Sequence, residues 1–445
     1  MVISNTIIYL EKEWDMNKRF RRMLFSSLQL SSFILWNLKL DFLISKFFGI
    51  ITVCYNKKEL KQNKNKTAIL AMERNIFDFD VKALKRYPSK YIIIVYPTLA
   101  RALLSDEAEW LLPKEILEQT SFYAKKDKYI NLYDRLSRLY CKTLDTIESF
   151  ANIDIKIVLT ANIDYFQDYP WIKSIHQKKG KFVVLEKESI IFKEIDIKNL
   201  TNRHRKYGFL YEGDAVLFYT NLAKKIYCKI GSVKPNQAFV TGSPRVDRLT
   251  SISKKQTGKS DFFLLSSFLE PRHFGSNVFN EILDEIYKDD LLKKKVIVKC
   301  KYPKEVMQVN KSYQDISAVY DSVENYLIKN PAIFIGYNST ICFDALIAGI
   351  PVVVPYWGEI KNGNDEKFLG EHTSSFHLLA YSKDSLVKII KDYLTNNTKK
   401  YMKTQTVWNN SKLKKYLEHR YSRVDGNNCK RVFEVIDEIL KKSNH

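Results

Sequence analysis

The sequence predicts an α/β protein built from two Rossmann-like domains with parallel sheets, followed by a helical C-terminal tail. Three observations carry this expectation. Short apolar runs alternate with longer stretches of helical apolar spacing, the pattern of strands joined by crossover helices. The runs are too many for one small sheet in a chain of 445 residues, and they do not fall into the eight even units of a (β/α) barrel. Hydrophobic residues make up 45% of the chain, enough to fill real cores.

The expected strands are Ile3–Tyr9, Ile51–Cys54, Ala68–Ala71, Tyr91–Tyr96, Ile155–Leu159, Phe182–Leu185, Ala215–Phe218, Ala238–Val240, Phe262–Leu265, Val296–Val298, Ala332–Ile335 and Pro351–Val354. Between them, Tyr133–Phe150, Gly275–Tyr287 and Ser385–Leu394 have the spacing of amphipathic helices. The stretch Thr250–Ser260, "TSISKKQTGKS", is polar, carries Gly258 and has no apolar period, which places a boundary there. The expected domains are therefore 1–250 and 251–406, with helices in 407–445 packing back on the first domain. In that tail "KRVFEVIDEILKK" has the spacing of a packed helix. "MLFSSLQLSSFILWNL", Met23 to Leu38, is uncharged but short for a membrane span, and is expected as a buried or interface-lying helix.

Lys and Arg outnumber Asp and Glu by 72 to 50, a net charge of +22. That excess points to an anionic partner: nucleic acid, an acidic membrane surface or a phosphorylated substrate. The lysines are scattered, and no helix-turn-helix, zinc-finger or RNP1 pattern occurs, so nucleic acid is not the expected partner. The six cysteines are dispersed without a CxxC, which fits a reducing cytosol and no metal site. Glu11, Glu13 and Asp15 interrupt any signal-peptide core, so a cytoplasmic location is expected. The chain contains no GxxxxGK[ST], no GxGxxG and no HExxH. Those absences weigh against P-loop enzymes, ordinary NAD oxidoreductases and zinc hydrolases.

Four stretches carry chemistry. In "GYNSTICFDALIAGIPVVVP", Gly336 to Pro355, a polar turn separates a strand from a short helix. Asn338, Ser339 and Thr340 can cap that helix, leaving its amides for an anion, and Asp344 lies about one turn further on, where it can accept hydrogen bonds from a diol. Alternatively the three polar residues are only a cap and Asp344 a surface acid. In "FVTGSPRVDRL", Phe239 to Leu249, Gly242 permits a sharp turn and Pro244 can begin a helix, as any strand-to-helix turn would require. "VVLEKES", Val183 to Ser189, and "AILAMERNIFDFD", Ala68 to Asp80, each end an apolar run in charge. Active-site groups of open α/β sheets gather at such strand ends, so Glu73, Asp78 and Glu186 are candidates for a base that deprotonates an acceptor hydroxyl. Spacing does not choose among them, and the pair Asp78 and Asp80 superficially looks like a metal-binding pair.

"VTGSPRVDRL" followed by "YNSTICFDALIAGIPVVVP" resembles the GT-B enzymes of bacterial surface-carbohydrate assembly, above all the capsule and lipopolysaccharide glycosyltransferases. "VVLEKES", preceded by "DYPWIKSIHQKKGKF", is similar to the N-terminal domain of that group. The CDP-glycerol glycerophosphotransferases of teichoic acid synthesis share a similar motif pair, usually with two serines before the Phe-Asp step. The resemblance implies two facing Rossmann-like domains, with a nucleotide-activated donor mainly against the C-terminal one and the acceptor entering from the N-terminal one. It further implies that Gly242, Ser243, Pro244 and Arg245 form a turn near the donor phosphates. Asn338, Ser339 and Thr340 would hold phosphate, and Asp344 the ribose or donor sugar. Relatives often have a His-Pro pair where this chain has Tyr302-Pro303, which implies either that Lys299 or Lys301 compensates or that donor choice differs.

The expected function is a metal-independent, cofactor-free glycosyltransferase that moves a sugar from a nucleotide to a growing surface glycan or lipid-linked acceptor. Its positive charge would hold it at the anionic inner face of the membrane. A CDP-linked glycerol or ribitol phosphotransferase, a hydrolysing nucleotide-sugar epimerase and a non-enzymatic polyanion- or membrane-binding protein are the alternatives.

Overall fold

The computed structural model describes residues 18–61, 66–73, 77–97, 100, 129–163, 168–186, 194–206, 208–255, 261–267, 275–337, 339–362, 376–395, 397, 401 and 411–442. The chain forms two units, Met1–Arg245 together with Asn427–His445, and Val246–Gly426.

The first unit carries α1 (Lys18–Asn37), α2 (Asp41–Tyr55), α3 (Lys57–Lys61), β1 (Thr67–Met72), α4 (Phe77–Arg86), β2 (Ile92–Tyr96), α5 (Ile130–Ala151), β3 (Asp154–Thr160), α6 (Tyr169–Gln177), β4 (Lys181–Glu186), α7 (Glu194–Lys206), β5 (Ala215–Phe218), α8 (Asn221–Ile230) and β6 (Ala238–Val240). The strands form one parallel sheet in the order β2-β1-β3-β4-β5-β6. Alternation along β1 explains how the sheet is covered. Ala68, Leu70 and Met72 join one core with α2, α5 and α6, while Ile69 and Ala71 join the other with α4 and the terminal helix Asn428–Lys441. Both faces are buried, so the strands read as continuous apolar runs.

The second unit contains all but the first two residues of α9 (Pro244–Lys255), then β7 (Phe263–Ser266), α10 (Ser276–Lys288), α11 (Asp290–Lys295), β8 (Val296–Lys299), α12 (Pro303–Ser312), β9 (Ser317–Val319), α13 (Glu324–Leu327), β10 (Phe334–Ile335), α14 (Ile341–Ile347), β11 (Val352–Pro355), α15 (Gly358–Asn362), β12 (Leu378–Ala380), α16 (Lys383–Leu394) and α17 (Ser411–Arg420). Its sheet is also parallel, in the order β12-β11-β10-β7-β8-β9.

The structure corrects one expected strand. Ile51–Cys54 is not a strand but the end of α2, whose buried Ile44, Phe48 and Thr52 recur at helical spacing. Gly49 lets that helix close on α5, since a Cβ there would meet the Thr146 side chain at 2.5 Å. Packing of one helical stripe overrides the β-branched composition. The two units divide between Arg245 and Val246, inside α9, and the polar stretch from Thr250 continues that helix through Lys255. Of the tail, Asn427–His445 belongs to the first unit and α17 to the second. The strands β9 and β12 carried no sequence signal; both are three residues long and lie at sheet edges. The expected strand Ile3–Tyr9 and part of the expected linker, 256–260, lie outside the described residues.

Residues 23–37 are helical within α1 and Leu38 follows it, but most of 26–38 is not core. Ser32 and Trp36 are buried, while Leu30, Phe33, Ile34 and Leu38 are exposed. No helix among the described residues is long and apolar enough to cross a membrane.

Candidate functional site

Strand order decides where each unit is open to a ligand. In the second unit β7 lies between β8 and β10, so the chain winds one way from β7 through β9 and the other way from β10 through β12. The crevice of such a sheet lies beyond the carboxyl ends of the strands flanking that reversal, here β7 and β10. Ser266 ends β7 and is buried, and the Ser267 N–H donates to the Lys299 carbonyl at 2.9 Å. Gly336 follows β10, and the turn runs through Ser339 into α14. A Cβ at Gly336 would meet the Phe334 ring at 2.6 Å and Cys342 Sγ at 2.9 Å, so only glycine fits this exit from the strand.

The turn differs in detail from the expected cap. Thr340 occupies the cap position with helical angles, φ −61° and ψ −19°, and its side chain makes no capping hydrogen bond. A capping side chain needs extended angles to reach back to the first amides. Instead the Ile341 N–H makes a long contact of 3.4 Å to Ser339 Oγ. Asn338 lies outside the described residues. Asp344 is buried, and Tyr421, just past α17, donates its hydroxyl to Asp344 Oδ1 at 2.6 Å. Tyr421 is itself buried and lies against Phe343, ring centres 5.2 Å apart. Tyr421 is a site residue that the sequence did not single out, because nothing local ties the tail to residue 344.

Lys299 ends β8 and is buried; its ammonium donates to the Cys300 carbonyl and stands 5.8 Å from the Tyr320 ring centre. Lys301 is exposed beside the Tyr302 ring, 5.2 Å from its centre. Tyr302 caps α12 and Pro303 opens it. The buried Glu305 accepts from the N–H groups of Lys301 at 2.7 Å and Tyr302 at 3.3 Å, which fixes the path of this loop. Burial, then the nearby Glu305 carboxylate, push the Cys300 thiol up to about 12. The structure therefore brings Lys299 and the 336–340 turn to the carboxyl edge of one sheet.

In the first unit the reversal lies between β1 and β3. Glu73 is the residue after β1; it is buried, and Tyr55 donates to its Oε1 at 2.8 Å. Glu186 ends β4, is buried, and its Oε2 accepts the Ile163 N–H at 2.9 Å. Asn162, two residues past β3, is 3% exposed, and its Oδ1 has no hydrogen-bond partner among the described residues. A buried acceptor without a donor is rare and marks a position for a ligand hydroxyl or water. Sequence reading passed over Asn162, and its only signal was a polar residue just beyond a strand end. Asp78 is half-buried in the first turn of α4.

Asp80 has a different role from the metal pair its spacing resembles. It is 1% exposed, and three donors converge on its carboxylate: Tyr219 Oη at 2.7 Å, Ser243 Oγ at 2.6 Å and the Arg245 N–H at 3.1 Å. It thereby supplies negative charge to the start of α9. The Gly242–Arg245 turn is held from its other side by the terminal helix. Asn428 Nδ2 donates to the Ser243 carbonyl at 3.0 Å and Arg431 Nε to the Thr241 carbonyl at 2.9 Å. Gly242 sits at φ +79°, and a Cβ would lie 2.2 Å from Asn428 Oδ1. The Ser243 hydroxyl is thus engaged by Asp80. Among the described residues no three His, Cys, Asp or Glu side chains come together as a metal site would require.

No protein-family model matches the chain, and no curated protein matches it. Among solved structures, the wall teichoic acid polymerase TagF soaked with CDPG aligns over 95% of this chain and 99% of its own, with a TM-score of 0.50 and 10% identity. UDP-GlcNAc 2-epimerase from Methanocaldococcus jannaschii, in complex with UDP-GlcNAc and UDP, aligns over 84% of this chain and 99% of its own, with a TM-score of 0.44 and 14% identity. A glycosyltransferase from Rickettsia africae aligns over 85% and 99%, with a TM-score of 0.42 and 13% identity. With its two six-stranded parallel sheets and its terminal helix in the first unit, the chain has the GT-B fold.

Proposed function

We propose that the protein is a transferase of surface-glycan assembly that takes its donor as a nucleotide-activated sugar. The observation that carries this is the reversal point of the second unit, where Ser266 and Ser267 at the end of β7 and the glycine-led turn after β10 lie at the carboxyl ends of adjacent strands. Backbone amides of Ser339–Ile341 and the charge of Lys299 would meet the developing charge on the leaving nucleotide phosphate. Gly242, Ser243, Pro244 and Arg245 would contribute through the main chain and the Arg245 guanidinium. Asp344 would fix the start of α14 through Tyr421 and face the ribose or sugar. In the first unit, Glu73 or Glu186 would take the proton of an acceptor hydroxyl, with Asn162 Oδ1 accepting a second hydroxyl of a glycan or lipid-linked acceptor. Asp78, less buried than either, is the third candidate. No cofactor is part of this proposal.

A second reading, transfer of a CDP-linked glycerol or ribitol phosphate, is favoured by the likeness of the fold along 95% of the chain to a polymerase soaked with CDPG. Thermal melting with UDP, CMP, CDP, GDP and dTDP, one at a time, tests both. A ligand at a hundred times its dissociation constant adds about 2.7 kcal/mol of stability. A rise with one nucleotide that is lost in Lys299→Met supports the donor crevice; a rise with CDP alone supports the second reading. No rise with any of the five overturns both.

A further inference from the structure

The α1–α2 hairpin carries an exposed apolar face that the proposed chemistry does not use. On α1, Leu30, Phe33 and Ile34 recur at helical spacing, and Leu38 follows just past its end; all stand exposed, Leu30 at 58% and Leu38 at 62%. Past the turn, Phe42, Leu43 and Ile50 continue the exposed apolar face on α2, with Phe42 at 48%. Contiguous apolar surface of this kind marks an interaction site.

The hairpin is firmly mounted, so the exposure is not that of a loose segment. Arg135 of α5 pairs with the Asp41 carboxylate at 2.6 Å, donates to the Trp36 carbonyl and lies over the Trp36 ring, 3.5 Å from its centre. Trp36, Ile44 and Phe48 turn the opposite side of both helices into the core.

Charge selects the occupant. Residues 18–61 contain nine Lys or Arg against two acids, Asp41 and Glu59. Both acids are paired within the unit, Asp41 with Arg135 and Glu59 with Lys85 at 2.7 Å. Lys39 at the hairpin turn and Lys46, one helical turn from both Phe42 and Ile50, are exposed among the apolar side chains. A lysine in an apolar row lays its stem along the row and lifts its ammonium to an anionic boundary. A second copy of this chain would bring the same cations face to face, which is repulsive. We propose that the α1–α2 hairpin lies in the surface of an anionic lipid bilayer, with Leu30, Phe33, Leu38 and Phe42 among the acyl chains and Lys39 and Lys46 at the headgroups.

Flotation of the full-length protein with vesicles tests this. The wild type should float with vesicles of equal parts phosphatidylcholine and phosphatidylglycerol, and much less with phosphatidylcholine alone. The double variant Leu38→Glu/Phe42→Glu should stay at the bottom of the gradient. Lys39→Ser/Lys46→Ser should weaken binding by roughly fivefold for each cation removed. All these positions are exposed, so the melting temperature should hold; Leu30→Ser/Phe33→Ser on the other helix gives an independent check. A wild type that fails to float on anionic vesicles overturns the proposal, as do glutamate variants that float like it. Self-association that Leu38→Glu/Phe42→Glu abolishes, without flotation, would assign the face to a second copy and also overturn it. Vesicle binding and nucleotide binding are separate readouts, so either proposal can fail without the other.

Discussion

Ser243 donates its hydroxyl to Asp80 at 2.6 Å across 163 residues of sequence. The bond joins the first turn of α4 to the Gly-Ser-Pro turn before α9, and Tyr219 and the Arg245 N–H complete the shell of the same carboxylate. Asp80→Ala removes the acceptor on which Tyr219, Ser243 and the Arg245 N–H converge. It should lower the stability of the first unit by about 3 kcal/mol or more, and Asp80→Asn by less, because the amide keeps one acceptor oxygen. Urea unfolding followed by tryptophan fluorescence measures both; equal losses in the two variants would refute the hydrogen-bond account.

Gly242 and Asn428 make a coupled pair. Gly242→Ala places a methyl against the Asn428 side chain at φ +79°, at an expected cost of about 1–3 kcal/mol. In the Gly242→Ala/Asn428→Ala double variant the steric part disappears, so the combined loss should be smaller than the sum of the two single losses. Strict additivity in a double-mutant cycle would show that the close approach contributes nothing.

Tyr421→Phe removes the hydroxyl that Asp344 Oδ1 accepts. Since both groups are buried, the second unit should lose about 1–3 kcal/mol. Thermal melting reads this directly, and an unchanged transition would mean that the hydroxyl does not hold α14.

His204 should make the first unit acid-sensitive. Burial, and secondarily the neighbouring Arg203 charge, lower its imidazole from 6.5 to about 4, while Nδ1 pairs with Ser232 Oγ at 2.6 Å. The unfolded chain therefore binds the proton more readily. The His204 contribution to stability is complete above pH 6.5, falls by up to about 1.4 kcal/mol per pH unit on acidification, and is gone below about pH 4. Melting temperatures of the wild type and His204→Phe, taken from pH 7.5 to 4.5, should differ in slope over that window; parallel curves would refute the assignment.

Much of the fold was legible because buried parallel strands are continuous apolar runs: the β3 sequence DIKIVLT and the β11 sequence VVVP announce themselves. The edge strands β9 and β12 were not picked out, although the equally short edge strand β6 was. Ile51–Cys54 misled because β-branched residues also suit a helix whose stripe is buried, and only the fit of Gly49 against Thr146 shows which applies. At the candidate sites, the polar turn Ser339–Thr340 and the strand-end carboxylates Glu73 and Glu186 were visible as charge or polarity ending an apolar run.

By itself, the sequence determined the α/β class, most strands of both sheets and the strand ends at which chemistry gathers, because these follow from short-range periodicity. Only the tertiary structure decided the strand orders, and with them the two reversal points. It alone paired Asp80 with Ser243 and Asp344 with Tyr421, isolated the Asn162 oxygen, and left one side of α1 and α2 uncovered. The physical reason is that periodicity states which face of an element is apolar, whereas hydrogen bonds and coverage depend on which distant element arrives at that face.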